Sequence, residues 1–284
     1  MMNGVFEQMV SRYEIKTAND RIHATREVIQ EIALSALYRG GLFNKAAFYG
    51  GTCLRIFHEL PRFSEDMDFS LLEKNPSFSI DPYLPVIEEE FKSYGRDVEI
   101  KRKKKKENSD IESAFLKDNT EIASISLQTE PAIKIKIEID KNPPLNFRTE
   151  NKLLLLPYSF MARCFDIPGL YAGKLHAFLF RGWKNRVKGR DWFDLEWYVK
   201  NNYKVDFQHL KARALQLGYT GTAEFTRDLA INLIKERIIS TNINRVIEDV
   251  RPFVRNPEDL DIWSLDYFLQ IAEKIAFHDF PISR

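Results

Sequence analysis

Between residues 17 and 39 apolar side chains recur at helical spacing, with Ile22, Val28, Ile29, Ile32, Ala36 and Leu37 forming one stripe. Thr17 or Asn19 suits the cap of this amphipathic helix, and Arg39-Gly40-Gly41 suits its end. A short strand, Ala47-Phe48-Tyr49, then leads into Gly50-Gly51-Thr52 and a helix from Thr52 to about His58. The period drops to two in Asp66-Met67-Asp68-Phe69, which directs Met67 and Phe69 to the core and both aspartates to the opposite face. Asp81-Pro82 makes a cap and first turn for a helix to about Tyr94. Alternation dominates residues 97–140. Ile122, Ser124, Ser126 and Gln128 alternate with Ala123, Ile125, Leu127 and Thr129, and Ile133, Ile135, Ile137 and Ile139 alternate with Lys134, Lys136, Glu138 and Asp140. The Thr129-Glu130-Pro131 corner predicts that these two strands form an antiparallel pair.

Pro143-Pro144 interrupts the pattern, and Leu153 to Leu156 predicts one further extended segment. Beyond Pro168 the periodicity becomes helical over 168–181, 188–201, 206–217, 222–237, 242–250 and 264–276. Phe178, Trp192, Phe193, Trp197 and Tyr198 fall at the spacing of core residues. The expected architecture is α/β. A mixed β-sheet core with helices occupies residues 1–160, and a helical region over residues 161–284 packs over its cleft.

Composition narrows the classes without choosing among them. With 284 residues the chain can bury a substantial core, and 44% hydrophobic and 29% charged residues are ordinary for a globular protein. A net charge of +1 means that affinity for nucleic acid has to come from local basic patches. Two such patches stand out: the run Lys101–Lys106, and Arg181, Lys184, Arg186, Lys188 and Arg190. The two cysteines, Cys53 and Cys164, sit among apolar residues, which suits a reducing cytoplasm rather than a disulfide framework. No signal-peptide pattern opens the sequence and no apolar run approaches ~20 residues, so secretion and membrane spanning are not expected. The five histidines lack ligand-like spacing, which argues against zinc.

The chemistry concentrates around Gly50 to Phe69. Two carboxylates on one face of a strand repel unless a cation lies between them, and magnesium or manganese suits an all-oxygen site shared with phosphates. Tandem glycines let the backbone approach a triphosphate, and the following helix offers unpaired N–H groups to it. Asp66 and Asp68 are the candidate metal ligands, and Gly50, Gly51 and Thr52 the candidate phosphate contacts. A third carboxylate is expected from a neighbouring strand. Glu138 and Asp140 share a face, and Glu138 is favoured because it lies mid-strand between Ile137 and Ile139. Arg62 and Ser64, just before the metal strand, suit either a phosphate contact or a loop anchor. These parts describe nucleotidyl transfer from a nucleoside triphosphate.

The run from Phe48-Tyr49-Gly50-Gly51-Thr52 through Leu54-Arg55 to Arg62–Phe69 resembles the first motif of the AbiEii/AbiGii-type nucleotidyltransferase toxins. Ile135–Ile139 is similar to the family's second carboxylate-bearing strand, Gly173-Lys174-Leu175 to its lysine motif, and Gly189–Leu195 to its arginine-aspartate motif. Cys53 departs from the small or aliphatic residue expected there. The resemblance implies that Lys174 acts as a point charge on the triphosphate. It also implies that Asp191 belongs to the active site, orienting Lys174, Arg190 or the acceptor. It further implies an RNA acceptor such as a tRNA 3′ end, growth arrest, and an antitoxin encoded nearby. Two other classes stay open on the sequence: a nucleotide- or RNA-binding regulator without catalysis, and a nucleotidyltransferase with a small-molecule acceptor.

Overall fold

A capping box fixes where the first long helix begins: the Thr17 hydroxyl accepts from the Asp20 N–H, and the Asp20 carboxylate accepts from the Thr17 N–H. The structure is a computed structural model describing residues 4–102, 120–130, 133–181 and 187–278. Its chain divides into two units. One comprises Met1–His58, Ser64–Leu145 and Thr149–Cys164, and the other Glu59–Phe63, Asn146–Arg148 and Phe165–Arg284.

The first unit runs α1 (Val5–Val10), α2 (Ala18–Arg39), β1 (Ala46–Tyr49), α3 (Gly50–Phe57), β2 (Asp66–Leu71), α4 (Leu84–Ser93), β3 (Val98–Arg102), β4 (Thr120–Leu127), β5 (Lys134–Asp140), β6 (Thr149–Leu154) and β7 (Phe160–Phe165). Seven strands make one mixed sheet in the order β3-β4-β5-β2-β1-β7-β6. The pairs β3/β4, β4/β5 and β1/β2 are antiparallel, whereas β2/β5 and β1/β7 are parallel. Met67, Phe69, Ile135, Ile137 and Ile139 are all fully buried, so the two-residue period does place one face of β2 and β5 in the core.

Helix α2 is more enclosed than the one-stripe amphipathic helix expected. Fourteen residues from His23 to Leu37 are buried, including Thr25, Glu27, Gln30, Glu31 and Ser35, while Ile22 of the expected stripe is exposed. Buried polar groups need partners, and Glu27, Gln30, Glu31 and Ser35 have them. The Glu31 carboxylate accepts from Arg12 at 2.6 Å, and the Ser35 hydroxyl donates to Glu90 at 2.9 Å. The periodicity missed this because it counts apolar residues, and an enclosed helix satisfies its polar ones by pairing.

Other boundaries moved for local reasons. Residues 81–83 form a 3₁₀ turn before α4, and α3 starts at Gly50 rather than Thr52. The strand expected at Leu153–Leu156 is β6, ending at Leu154, with Leu153 and Leu155 exposed. Strand β7 was not anticipated, although Phe160, Ala162 and Cys164 alternate inward from Met161 and Arg163.

The second unit holds α5 (Ile167–Phe180), α6 (Gly189–Lys200), β8 (Lys204–Asp206), α7 (Phe207–Leu217), α8 (Arg227–Ile239), α9 (Ile243–Val250), α10 (Leu265–Glu273) and β9 (Ala276–His278), with β8 and β9 paired parallel. Thr226 caps α8, which therefore starts five residues later than the pattern suggested. The aromatic residues do pack as core. Trp192 meets Phe178 and Phe268 at ring-centroid distances of 5.0 and 4.8 Å, and Tyr171 stacks on Tyr198 at 4.0 Å. Helices α6 and α9 approach closely at Gly189, where a Cβ would lie 2.2 Å from the Val246 carbonyl oxygen. No helix among the described residues is long and apolar enough to cross a membrane.

Candidate active site

Strand register assembles the carboxylates of the first unit. In the parallel pair β2/β5, Asp68 lies opposite Glu138 and Asp66 opposite Lys136. All four are half-buried, on the face away from the core. Tyr49 of β1 lies opposite Asp68 on its other side. Asp140 lies opposite Ser70, one step further from Asp66, so the register favours Glu138 as the third carboxylate.

Gly50 is cut to fit this face. Its φ of +84° is in the left-handed region, and a Cβ there would lie 2.2 Å from Asp68 Oδ2. Gly50→Ala is therefore expected to lower stability by about 1–2 kcal/mol through backbone strain. By displacing the Asp68 carboxylate it should also lower transfer activity about tenfold. Urea unfolding and a transfer assay check both parts, and unchanged transfer would detach Asp68 from the chemistry.

Helix α2 holds the rest in place. Glu27 accepts from Arg55 Nε on α3 at 3.1 and 3.0 Å, and Gln30 Nε2 donates to the carbonyls of Ser64 and Glu65 at 3.0 and 3.1 Å. The glycine helix and the approach to Asp66 are thus both pinned to one buried helix. Thr52 is fully buried and its hydroxyl donates to the Asp66 carbonyl oxygen. The Thr52 hydroxyl thereby ties α3 to β2. Helix α3 carries no side-chain N-cap bond and no acidic residue in its first turn, which suits its backbone amides to an anion.

The second unit contains a buried ionic trio. Asp194 is fully buried. Its two oxygens accept from Arg62 Nε and Nη2, each at 2.6 Å, and Lys174 Nζ lies 2.7 Å from Oδ2. Burial opposes the charged carboxylate, but the charges and hydrogen bonds of Arg62 and Lys174 outweigh it and hold Asp194 below the ordinary value. Arg62 Nη1 also donates to its neighbouring Phe63 carbonyl at 2.9 Å. The Arg62 fork is thus buried and engaged within its own unit. Asp191 accepts from Arg181 at 3.1 Å, and the Arg190 guanidinium lies 4.2 Å from the Phe253 ring centroid. Lys174 thus pairs with Asp194, three positions beyond Asp191.

Over residues 32–273 the sequence matches the family model described as nucleotidyl transferase AbiEii toxin, type IV toxin–antitoxin system. The chain belongs to this family. Among solved structures it is similar to MenT4, the nucleotidyltransferase toxin Rv2826c from Mycobacterium tuberculosis H37Rv, with 17% identity, 95% of this chain and 88% of that chain covered, and a TM-score of 0.55. A second similar structure is JHP933 from Helicobacter pylori, with 17% identity, 89% and 88% coverage and a TM-score of 0.48. No curated protein matches. The membership makes the chain a nucleotidyltransferase toxin, and the MenT4 likeness bears on its fold.

In this AbiEii-family toxin the sequence motifs fall into two groups, each gathered within its own unit. Gly50, Gly51, Thr52, Ser64, Asp66, Asp68 and Glu138 belong to the first unit, and Arg62, Lys174, Arg190 and Asp191 to the second. Four residues that sequence reasoning did not single out as site residues are Lys136, Gln30, Arg55 and Asp194. The signal for Asp194 was present, since Arg190-Asp191 and Asp194 fall within one turn of α6. Gln30 gave none, because its partners are distant in sequence, and Arg55 showed only as part of the first motif. Of the lysine run, Lys101 pairs with Glu99, and Arg102 with Asp81 and Glu121, while Lys103–Lys106 lie outside the described residues, as do Lys184 and Arg186.

A divalent cation is the cofactor the family chemistry implies. Among the described residues no three His, Cys, Asp or Glu groups converge tightly enough to hold one as they stand. The donor set nevertheless fits a hard cation, being all carboxylate oxygen, and the Glu138 carboxylate already carries a cation, the Lys136 ammonium.

Proposed function

We propose that this toxin transfers a nucleoside monophosphate from a nucleoside triphosphate to an RNA acceptor, with Asp66, Asp68 and Glu138 holding magnesium or manganese. The observation that carries the reading is the register that sets Asp68 opposite Glu138, with Gly50 left-handed against Asp68. In the reaction the acceptor oxygen bonds to the α-phosphorus, the bond to the bridging oxygen breaks, and pyrophosphate leaves with that electron pair while the acceptor hydroxyl loses its proton. A divalent cation on these carboxylates supplies neutralisation of the attacking and leaving oxygens. Gly50 and Gly51 admit the phosphates to the backbone of α3. Asp191, engaged with Arg181, orients basic groups for the acceptor.

Lys174 contacts a nucleotide phosphate. Arg62 already satisfies both oxygens of Asp194, so adding Lys174 sets two cations against one carboxylate and leaves the trio at a formal +1. A point charge held this way suits phosphate. Lys174→Ala should lower kcat/KM for the nucleotide about tenfold or more, the size of one charge-assisted hydrogen bond. Lys174→Arg should not restore it, because a planar fork does not replace a compact ammonium. Wild-type kcat/KM in both variants would remove Lys174 from the nucleotide.

RNA is the acceptor class that the family resemblance implies, and Lys103–Lys106 offer four consecutive cations to its phosphates. The test is incubation of the protein with each α-labelled nucleotide, magnesium or manganese, and total RNA, alongside an aminoglycoside acceptor. Label on an RNA 3′ end supports the proposal. Label on the small molecule alone assigns the other acceptor class, and no transfer with either metal overturns it.

A further inference from the structure

Lys136 is a cation standing on an anionic face. It lies opposite Asp66 on β5, two residues before Glu138, and its ammonium contacts the Glu138 carboxylate. Strand alternation keeps Lys136, Glu138, Asp66 and Asp68 on one face, so a single ammonium shares two adjacent rows of the parallel pair with three carboxylates. Side by side, the carboxylates repel one another, and an internal cation relieves that repulsion. Lys134, the preceding residue of the same face, is exposed and lies beyond the Asp66 row.

We infer that Lys136 is an internal counter-cation that occupies the third carboxylate of the site and competes with the divalent cation for Glu138. The inference rests on the reading of Asp66, Asp68 and Glu138 as metal ligands. Lys136 thereby acts as a positioning residue: it keeps Glu138 turned along its own strand and sets the metal concentration at which Glu138 joins the aspartates. A lysine suits the task because its single-point ammonium on a flexible stem moves aside without breaking a bidentate fork.

The test is direct titration of the full-length protein with Mn²⁺, followed by electron paramagnetic resonance of the free ion, with no nucleotide and no turnover. Lys136→Met should tighten Mn²⁺ binding about fivefold, the worth of one partly exposed ion pair. Lys134→Met, which removes an equal charge from the same face, should change it less than twofold. In a Glu138→Gln background the effect of Lys136→Met should vanish, which separates competition for Glu138 from general electrostatics. Lys136→Gln repeats the measurement should methionine lower the melting temperature. Equal effects of Lys136→Met and Lys134→Met, or an effect that persists with Glu138→Gln, would overturn the inference. It would leave the metal reading standing so long as wild-type binding is saturable and lost in Asp68→Asn. Binding that appears only once Lys136 is replaced supports the inference in its strongest form. No saturable binding in either protein brings down the metal reading and this inference together.

Discussion

Asp68→Asn is expected to reduce nucleotidyl transfer by more than ~100-fold while leaving the chain folded, the loss that follows removal of a principal electrostatic stabiliser. The substitution keeps the shape of the side chain and removes the charge. Asp68 is the central carboxylate of its face: Glu138 lies opposite on one side, Tyr49 on the other, and Gly50 leaves room for its Oδ2. Asp66→Asn should act in the same direction, since Asp66 shares the face two residues earlier. The measurement is label transfer at saturating magnesium, with circular dichroism and thermal unfolding as checks that β2 is intact. A variant that transfers at near the wild-type rate would show that the cation, if required, is held elsewhere. In a bacterium sensitive to the toxin, growth arrest should depend on Asp68 in parallel. Arrest that persists with Asp68→Ala would point to harm from binding or aggregation.

The largest stability effect is expected at Asp194. Asp194→Ala removes the sole carboxylate of the trio and strands the buried Arg62 guanidinium, whose side chain is only 2% exposed. Breaking a buried pair from one side typically costs about 3–5 kcal/mol, because the remaining charge keeps its desolvation penalty. All four tryptophans lie within Phe165–Arg284, so intrinsic fluorescence during urea unfolding follows the second unit specifically. Arg62→Met combined with Asp194→Leu should lose less than Asp194→Ala, since it removes both members of the tightest pair. A midpoint for Asp194→Ala equivalent to a loss below about 1 kcal/mol would mean that solvent reaches the trio. The same linkage gives a pH dependence. Asp194 is held below its ordinary value of 3.8 in the folded chain, so its contribution is present above that pH and is lost as pH falls further.

Much of this toxin is written locally. The alternation of Met67 and Phe69 against Asp66 and Asp68 needs only the two-residue period of a strand, and the buried isoleucines of β5 follow from the same rule. Thr17 and Asp20 cap α2 through bonds spanning three residues, and the glycine turn was visible because few other sequences permit a backbone of that shape. The family motifs kept their chain order for the same reason, since each is a short segment whose chemistry depends on its neighbours. Distant partnerships were not legible. That Glu138 rather than Asp140 faces Asp68 depends on the parallel register of two strands separated by α4, β3 and β4, and a two-residue slip would reverse it. That Arg62 pairs with Asp194, 132 residues away, was decided by the fold, as was the enclosure of α2 by Arg12, Arg55 and Glu90 arriving from elsewhere. Sequence determined which residues could carry charge on a common face, because that is fixed by backbone geometry within a few residues. Only the tertiary structure decided which of those charges are already satisfied, because a buried ion is neutralised by whatever the fold brings to it.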